Sequence, residues 1–163
     1  MKLSDQWEIL NDAREHLPVP VKSLPARLGI KLRAAFLGSG ISGMLEKSGD
    51  SFLLTVNATD SDTRQRFTLA HELGHYMLHR HLVGDGLDDD MAYRSTEVGK
   101  YHNTLIGPKE EREANKFAAN LLMPRDAINR ERIRLHDSVA EMAQLFGVSE
   151  HAMSIRMSVP YIG

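Results

Sequence analysis

Two histidines four residues apart, His71 and His75, with Glu72 directly after the first, constrain this chain more than any other feature. On an α-helix such residues lie about 40° apart around the axis and about 6 Å along it. Two imidazoles so placed can reach one metal ion. Glu72 then stands beside the metal without ligating it, where it can take a proton from an activated water. The competing reading makes these ordinary surface histidines on an amphipathic helix. In a chain with eight histidines a chance match is a real alternative, so the rest of the sequence has to decide.

Length and composition narrow the setting. A chain of 163 residues can bury the core of one ordinary domain. The formal net charge of −2 provides no global positive field toward nucleic acid or anionic membranes. The absence of cysteine excludes a disulfide scaffold, a thiolate metal site and a cysteine nucleophile. The first residues lack the apolar stretch of a secretory signal, and no run approaches membrane-spanning length. A cytoplasmic protein is expected.

No internal repeat or low-complexity linker interrupts the chain. Ser4 or Asp5 caps an expected first helix to about residue 16, striped by Trp7, Leu10 and Ala13 and broken by Pro18-Val19-Pro20. A short helix over 21–28 ends at Gly29. Segments 30–37, 41–46 and 51–57 read as strands. Gly38-Ser39-Gly40 and Lys47-Ser48-Gly49-Asp50 separate them, and an antiparallel meander is the simplest topology. Asp60, Ser61 or Asp62 caps a long helix through the histidine motif to about residue 81. An irregular stretch over 84–108 follows, long enough to serve as a lid, and its Asp88-Asp89-Asp90 run reads as a solvated loop. A second strong helix spans 109–123, and the tail carries helices at 125–136, 138–146 and 149–157. The fold class is α+β: a small antiparallel three-stranded sheet packed on the histidine helix, with a helical C-terminal part. Residues 1–124 form the core and 125–163 a tail packed on it as one domain.

A catalytic zinc site usually takes three protein ligands and leaves a fourth position open. Two candidates compete for the third. His81 sits at the offset of the extended pattern His-Glu-x-x-His-x-x-Gly-x-x-His, but Leu78 occupies the glycine position that breaks the helix. An unbroken helix carries His81 beyond reach. His79 lies a turn past His75 and reads as a polar residue complementing the helix C-terminus. Glu111 is the other candidate. It lies on the apolar face marked by Ala114, Phe117, Ala118, Leu121 and Leu122, where a carboxylate is costly unless something compensates its charge. Glu110 and Glu113 suit a solvated first turn instead. Asn115, four residues after Glu111, is placed to hydrogen-bond a ligand imidazole. Small Ala114, Ala118 and Ala119 let the two helices approach closely.

With both motifs in view, the chain resembles the ImmA/IrrE family of metallo-endopeptidases. The resemblance rests on Arg66-Phe-Thr-Leu-Ala-His-Glu-Leu-Gly-His-Tyr-Met-Leu-His79 and Glu111-Arg-Glu-Ala-Asn-Lys-Phe-Ala-Ala-Asn-Leu-Leu-Met-Pro124. It extends more loosely through Ser42-Gly-Met-Leu-Glu46, Leu53-Leu-Thr-Val-Asn57 and the tail. It implies a zincin-like fold, zinc (Zn2+) held by His71, His75 and Glu111, and Glu72 as general base. It also implies cleavage of a regulatory protein, often a separately encoded helix-turn-helix repressor, to relieve repression in a mobile element or stress response.

Other assignments follow as expectations. Strand 51–57, just before the histidine helix, is expected to be an edge that binds an extended substrate by strand addition. Tyr76, Tyr93, Arg94, Tyr101 and His102 are candidate oxyanion stabilisers. The tail over 139–156 resembles a helix-turn-helix, with Gly147 in the turn and Ser149 capping the second helix. That second helix carries one arginine, Arg156, opposed by Glu150, so a structural or substrate-recognising role is expected over direct DNA binding. The alternative function is a non-proteolytic regulator that binds a repressor or antitoxin, with a structural metal site.

Overall fold

The computed structural model describes residues 1–83, the backbone of 93–96, and residues 105–160. Helix α1 spans Leu3–Ala13, and Asp5 starts it by accepting the Lys2 backbone N–H. A 3-10 turn at Val21–Ser23 leads into the short α2, Leu24–Arg27, and Gly29 leaves it at a φ of +75°. Strands β1 (Lys31–Ala35), β2 (Ile41–Ser48) and β3 (Ser51–Asn57) precede the long α3, Asp62–His79. Ser61 caps α3 through its hydroxyl, which accepts the Arg64 N–H. After a fourth strand, β4 (Tyr93–Thr96), come α4 (Pro108–Leu122), α5 (Arg125–Arg134), α6 (Val139–Phe146) and α7 (Glu150–Met157). The fold is α+β and zincin-like, as expected.

The sheet differs from the expected meander. Its order is β1-β3-β2-β4, with β1 parallel to β3 and the other neighbours antiparallel. Strand β3 therefore lies inside the sheet and cannot accept a substrate strand; β1 and β4 are the edges. The reason is chemical. β3 carries the apolar run Phe52-Leu53-Leu54 and takes the covered position, while β1 carries Lys31 and Arg33 and tolerates an edge. Asn57, at the end of β3, locks the crossover by donating its amide to the carbonyls of Gly38 (3.1 Å) and Ile41 (2.8 Å). The expected irregular stretch contains β4, which pairs with β2; the rest of 84–104 lies outside the described residues.

One hydrophobic cluster joins sheet, α3, α4 and tail, including Leu45, Leu54, Leu73, Leu122, Ile128 and Phe146. Two glycines set how tightly α3 is held. A Cβ on Gly43 of β2 would run into Thr68 Cγ2, so this strand position must be bare for α3 to lie on the sheet. A Cβ on Gly74 would lie 3.1 Å from Ala114 Cα, so α3 and α4 cross almost backbone to backbone. Arg66 ties the tail to α3: it is buried and donates to the carbonyls of Val19 (2.9 Å) and Gly147 (3.0 Å). Among the described residues, no helix is long and apolar enough to cross a membrane.

Candidate metal centre

Close crossing of α3 and α4 brings three ligand atoms together. His71 Nε2 and His75 Nε2 are 3.1 Å apart, and Glu111 Oε1 lies 3.4 Å from the first and 2.7 Å from the second. Tetrahedral ligation at about 2.0–2.1 Å separates donor atoms by about 3.4 Å, so this triangle suits a small divalent cation after slight expansion. The placement of protons supports the same fit. His71 Nδ1 lies 2.8 Å from Asn115 Oδ1, an acceptor, so Nδ1 carries a proton and Nε2 is the nitrogen left to a metal. Electron pairs converging in a buried pocket call for a positive charge at their centre.

The titration directions agree. Burial pulls His71 down, but the hydrogen bond to Glu111, the charges of Glu72 and Glu111 and the bond to Asn115 together raise it above its ordinary value. His75, more enclosed, is driven by burial down to about 4 against the opposing bond to Glu111. Glu72 is fully buried, and neither of its carboxylate oxygens has a hydrogen-bond partner among the described residues. Burial pushes its carboxyl up to about 8; the His71 charge opposes the rise and Glu111 adds to it. A cation held by the three ligands would bring that carboxyl back into the range of an ionised base.

The residues singled out from the sequence fall into place unevenly. His71, Glu72, His75, Glu111 and Asn115 meet at one point. His81 lies exposed in the 3-10 turn after α3, away from the cluster. Tyr76 is no oxyanion candidate: its hydroxyl accepts from Gln6, its ring packs edge-on against Phe52, and Arg80 stacks over it. Tyr93 and Arg94 belong to β4, whose side chains, like Tyr101 and His102, lie outside the described residues. His79 does more than its expected part. It closes the last turn of α3 as expected but is also buried against His75, and Glu113, though solvent-exposed, turns toward it. The sequence does carry a signal for this, since residues 71, 75 and 79 share one helical stripe.

A cavity of about 680 Å3 opens from the ligands. Its floor is His71, Glu111 and Asn115, and α7 supplies Ala152 and Ile155 to the far wall. The turn and second helix of the helix-turn-helix-like pair thus line the cleft. Arg156, the sole arginine of α7, is turned inward: its guanidinium donates to Met123 O (2.8 and 3.0 Å) and Asn120 Oδ1 (3.0 Å).

Two helices presenting a His-Glu-x-x-His pair and a distant glutamate, laid on a small sheet, define a metallopeptidase-type domain. Residues 25–158 match the family model Peptidase_M78, described as the IrrE N-terminal-like domain, and the chain belongs to that family. Among solved structures, a Mycobacterium tuberculosis transcriptional regulator matches with a TM-score of 0.55 and 21% sequence identity. The match covers 85% of this chain and 39% of the regulator, so the chain spans about two fifths of that protein. The likeness shows a shared fold. Comparison with curated proteins gives no match.

Proposed function

We propose that this chain is a zinc-dependent endopeptidase that cleaves a regulatory protein, a separately encoded helix-turn-helix repressor, and so relieves transcriptional repression in the cytoplasm. The observation that carries the reading is Glu72. A fully buried carboxylate without a partner among the described residues is costly to keep beside three convergent ligand atoms, unless the carboxylate works there. Two imidazoles and one carboxylate are the donor set of a catalytic zinc with an open position.

His71 and His75 of α3 and Glu111 of α4 would hold the ion. When bound, zinc supplies Lewis acidity, acidifying water and polarising the scissile carbonyl. Glu72 accepts the proton of the attacking water as its oxygen bonds to the carbonyl carbon. Glu72 then delivers that proton to the amine as the C–N bond breaks. The cleft beside α7 admits an extended segment, and Arg156's inward bonds suit a wall better than a DNA-reading surface.

Metal analysis of the purified chain and co-incubation with any helix-turn-helix protein found encoded beside it test the reading. Zinc at one per chain and cleavage by wild type but not by Glu72→Gln are expected. Equal loss of the partner with both proteins sinks the protease. A partner that stays whole yet binds tightly to either protein points to the non-proteolytic regulator.

A further inference from the structure

His75 faces a second histidine with the nitrogen that a metal would not use. Its Nδ1 lies 3.0 Å from His79 Nδ1, and both rings are buried. His79 Nε2 in turn lies 3.3 Å from Glu113 Oε1 on α4. Two Nδ1 atoms in contact share a single proton between them. Whichever ring donates must be the Nδ1–H tautomer, and the other must accept there and carry its own proton on Nε2. The carboxylate settles the direction. Glu113 only accepts, so it selects the Nε2–H form of His79, which leaves His79 Nδ1 as an acceptor and places the shared proton on His75 Nδ1. When a metal replaces the hydrogen bond between His75 Nε2 and Glu111 Oε1, His75 Nε2 is then left with its lone pair for the ion.

We propose that His79 and Glu113 form a positioning relay, Glu113–His79–His75, that fixes the metal-binding tautomer and ring orientation of His75. The inference rests on the reading of His71, His75 and Glu111 as metal ligands. It gives the two ligand histidines different supports: Asn115 holds His71 directly, whereas His75 is held by a second imidazole that reaches a carboxylate. Glu113 and Asn115 both belong to α4, within about one turn after Glu111. One helix therefore supplies a ligand to the metal and anchors the support of each histidine. The Glu113 side chain is 46% exposed while His79 is buried, so the relay ends at the water boundary. Glu113 keeps its charge within reach of solvent while still ordering the interior.

The test is zinc affinity by competition with a chromophoric chelator, paired with urea unfolding of the chelator-stripped protein. His79→Ala is expected to weaken zinc binding by about 10–100-fold. Glu113→Ala is expected to weaken it several-fold, and Glu113→Gln, whose amide oxygen still accepts from Nε2–H, to restore it to within about threefold of wild type. Long-range proton–nitrogen correlation spectra of the zinc-loaded wild type should show His79 protonated on Nε2 and His75 on Nδ1, a readout that no folding defect in a variant can mimic. His79 protonated on Nδ1 overturns the relay, as does wild-type zinc affinity in His79→Ala. Metal-free stability lost without any change in zinc affinity assigns His79 to packing alone and also overturns it. Failure of the wild-type protein itself to bind zinc removes the metal site and the relay together, which distinguishes the two failures.

Discussion

Replacing Glu72 with glutamine should make the metal-free protein more stable, and increasingly so as pH rises. Glutamine keeps the shape of the side chain but cannot ionise, so it escapes the cost of a buried charge. The fold raises the Glu72 carboxyl from 4.5 to about 8, so the folded state holds its proton more tightly than the unfolded chain does. The stability linked to that proton is complete below pH 4.5 and is lost as pH rises through about 8. The full swing is about 5 kcal/mol, from about 1.4 kcal/mol per pKa unit. His75 titrates the other way. Its pKa is depressed from 6.5 to about 4, so its contribution is present above 6.5 and is lost as pH falls through 4. The clean window for Glu72 is therefore about pH 6.5 to 8.5, where its share of the swing is about 2 kcal/mol. His71, raised above its ordinary value partly by the Glu72 charge, adds a loss of the same sign that is larger in wild type than in the variant and so widens the difference. Urea unfolding of chelator-treated protein at these two pH values is the assay. Wild type should lose about 2 kcal/mol more than Glu72→Gln across the window, and saturating zinc should erase the difference. Parallel pH profiles for the two metal-free proteins would refute the claim that Glu72 is held protonated by burial.

Three further outcomes follow from the packing around the site. Gly74→Ala should gain about 1 kcal/mol in helix propensity but lose about 1–3 kcal/mol to contact with the Ala114 backbone, which cannot swing aside; lowered stability with weakened zinc binding is expected by thermal melting and chelator competition. Asn115→Ala removes the acceptor at 2.8 Å from His71 Nδ1 and should weaken zinc about 10–100-fold while leaving the chain folded by circular dichroism. Arg66→Met strips the buried carbonyls of Val19 and Gly147 of their donor and should cost about 3 kcal/mol in urea unfolding; a loss below about 1 kcal/mol would mean the tail is anchored by other contacts.

Much of the site is legible in the sequence, because its parts are local. Residues 71, 72 and 75 share one helix, and helical geometry alone puts two imidazoles on one side with the carboxylate next to them. Glu111 is legible for a different local reason, as an acid on the apolar stripe of its own helix. The caps and stops are legible too, since Ser61, Gly147 and Ser149 act within a turn of where they stand. The part played by His79 escapes such a reading because its partner Glu113 belongs to another helix. No periodicity in either segment reports which side chains meet across the crossing.

The order of residues along the chain thus fixes the chemistry on offer: a helix with two imidazoles and a base, a second helix with a third ligand, and the elements between them. Packing decides how those pieces are joined. It places the more apolar β3 inside the sheet and charged β1 at its edge, which removes the expected substrate edge. It also turns a helix-turn-helix-like tail into a cleft wall by drawing Arg156 inward. Local sequence sets helices and caps because their hydrogen bonds close within about four residues. Strand order and the approach of α3 to α4 depend on which faces bury together, and Gly43 and Gly74 become intelligible only against the atoms they meet there.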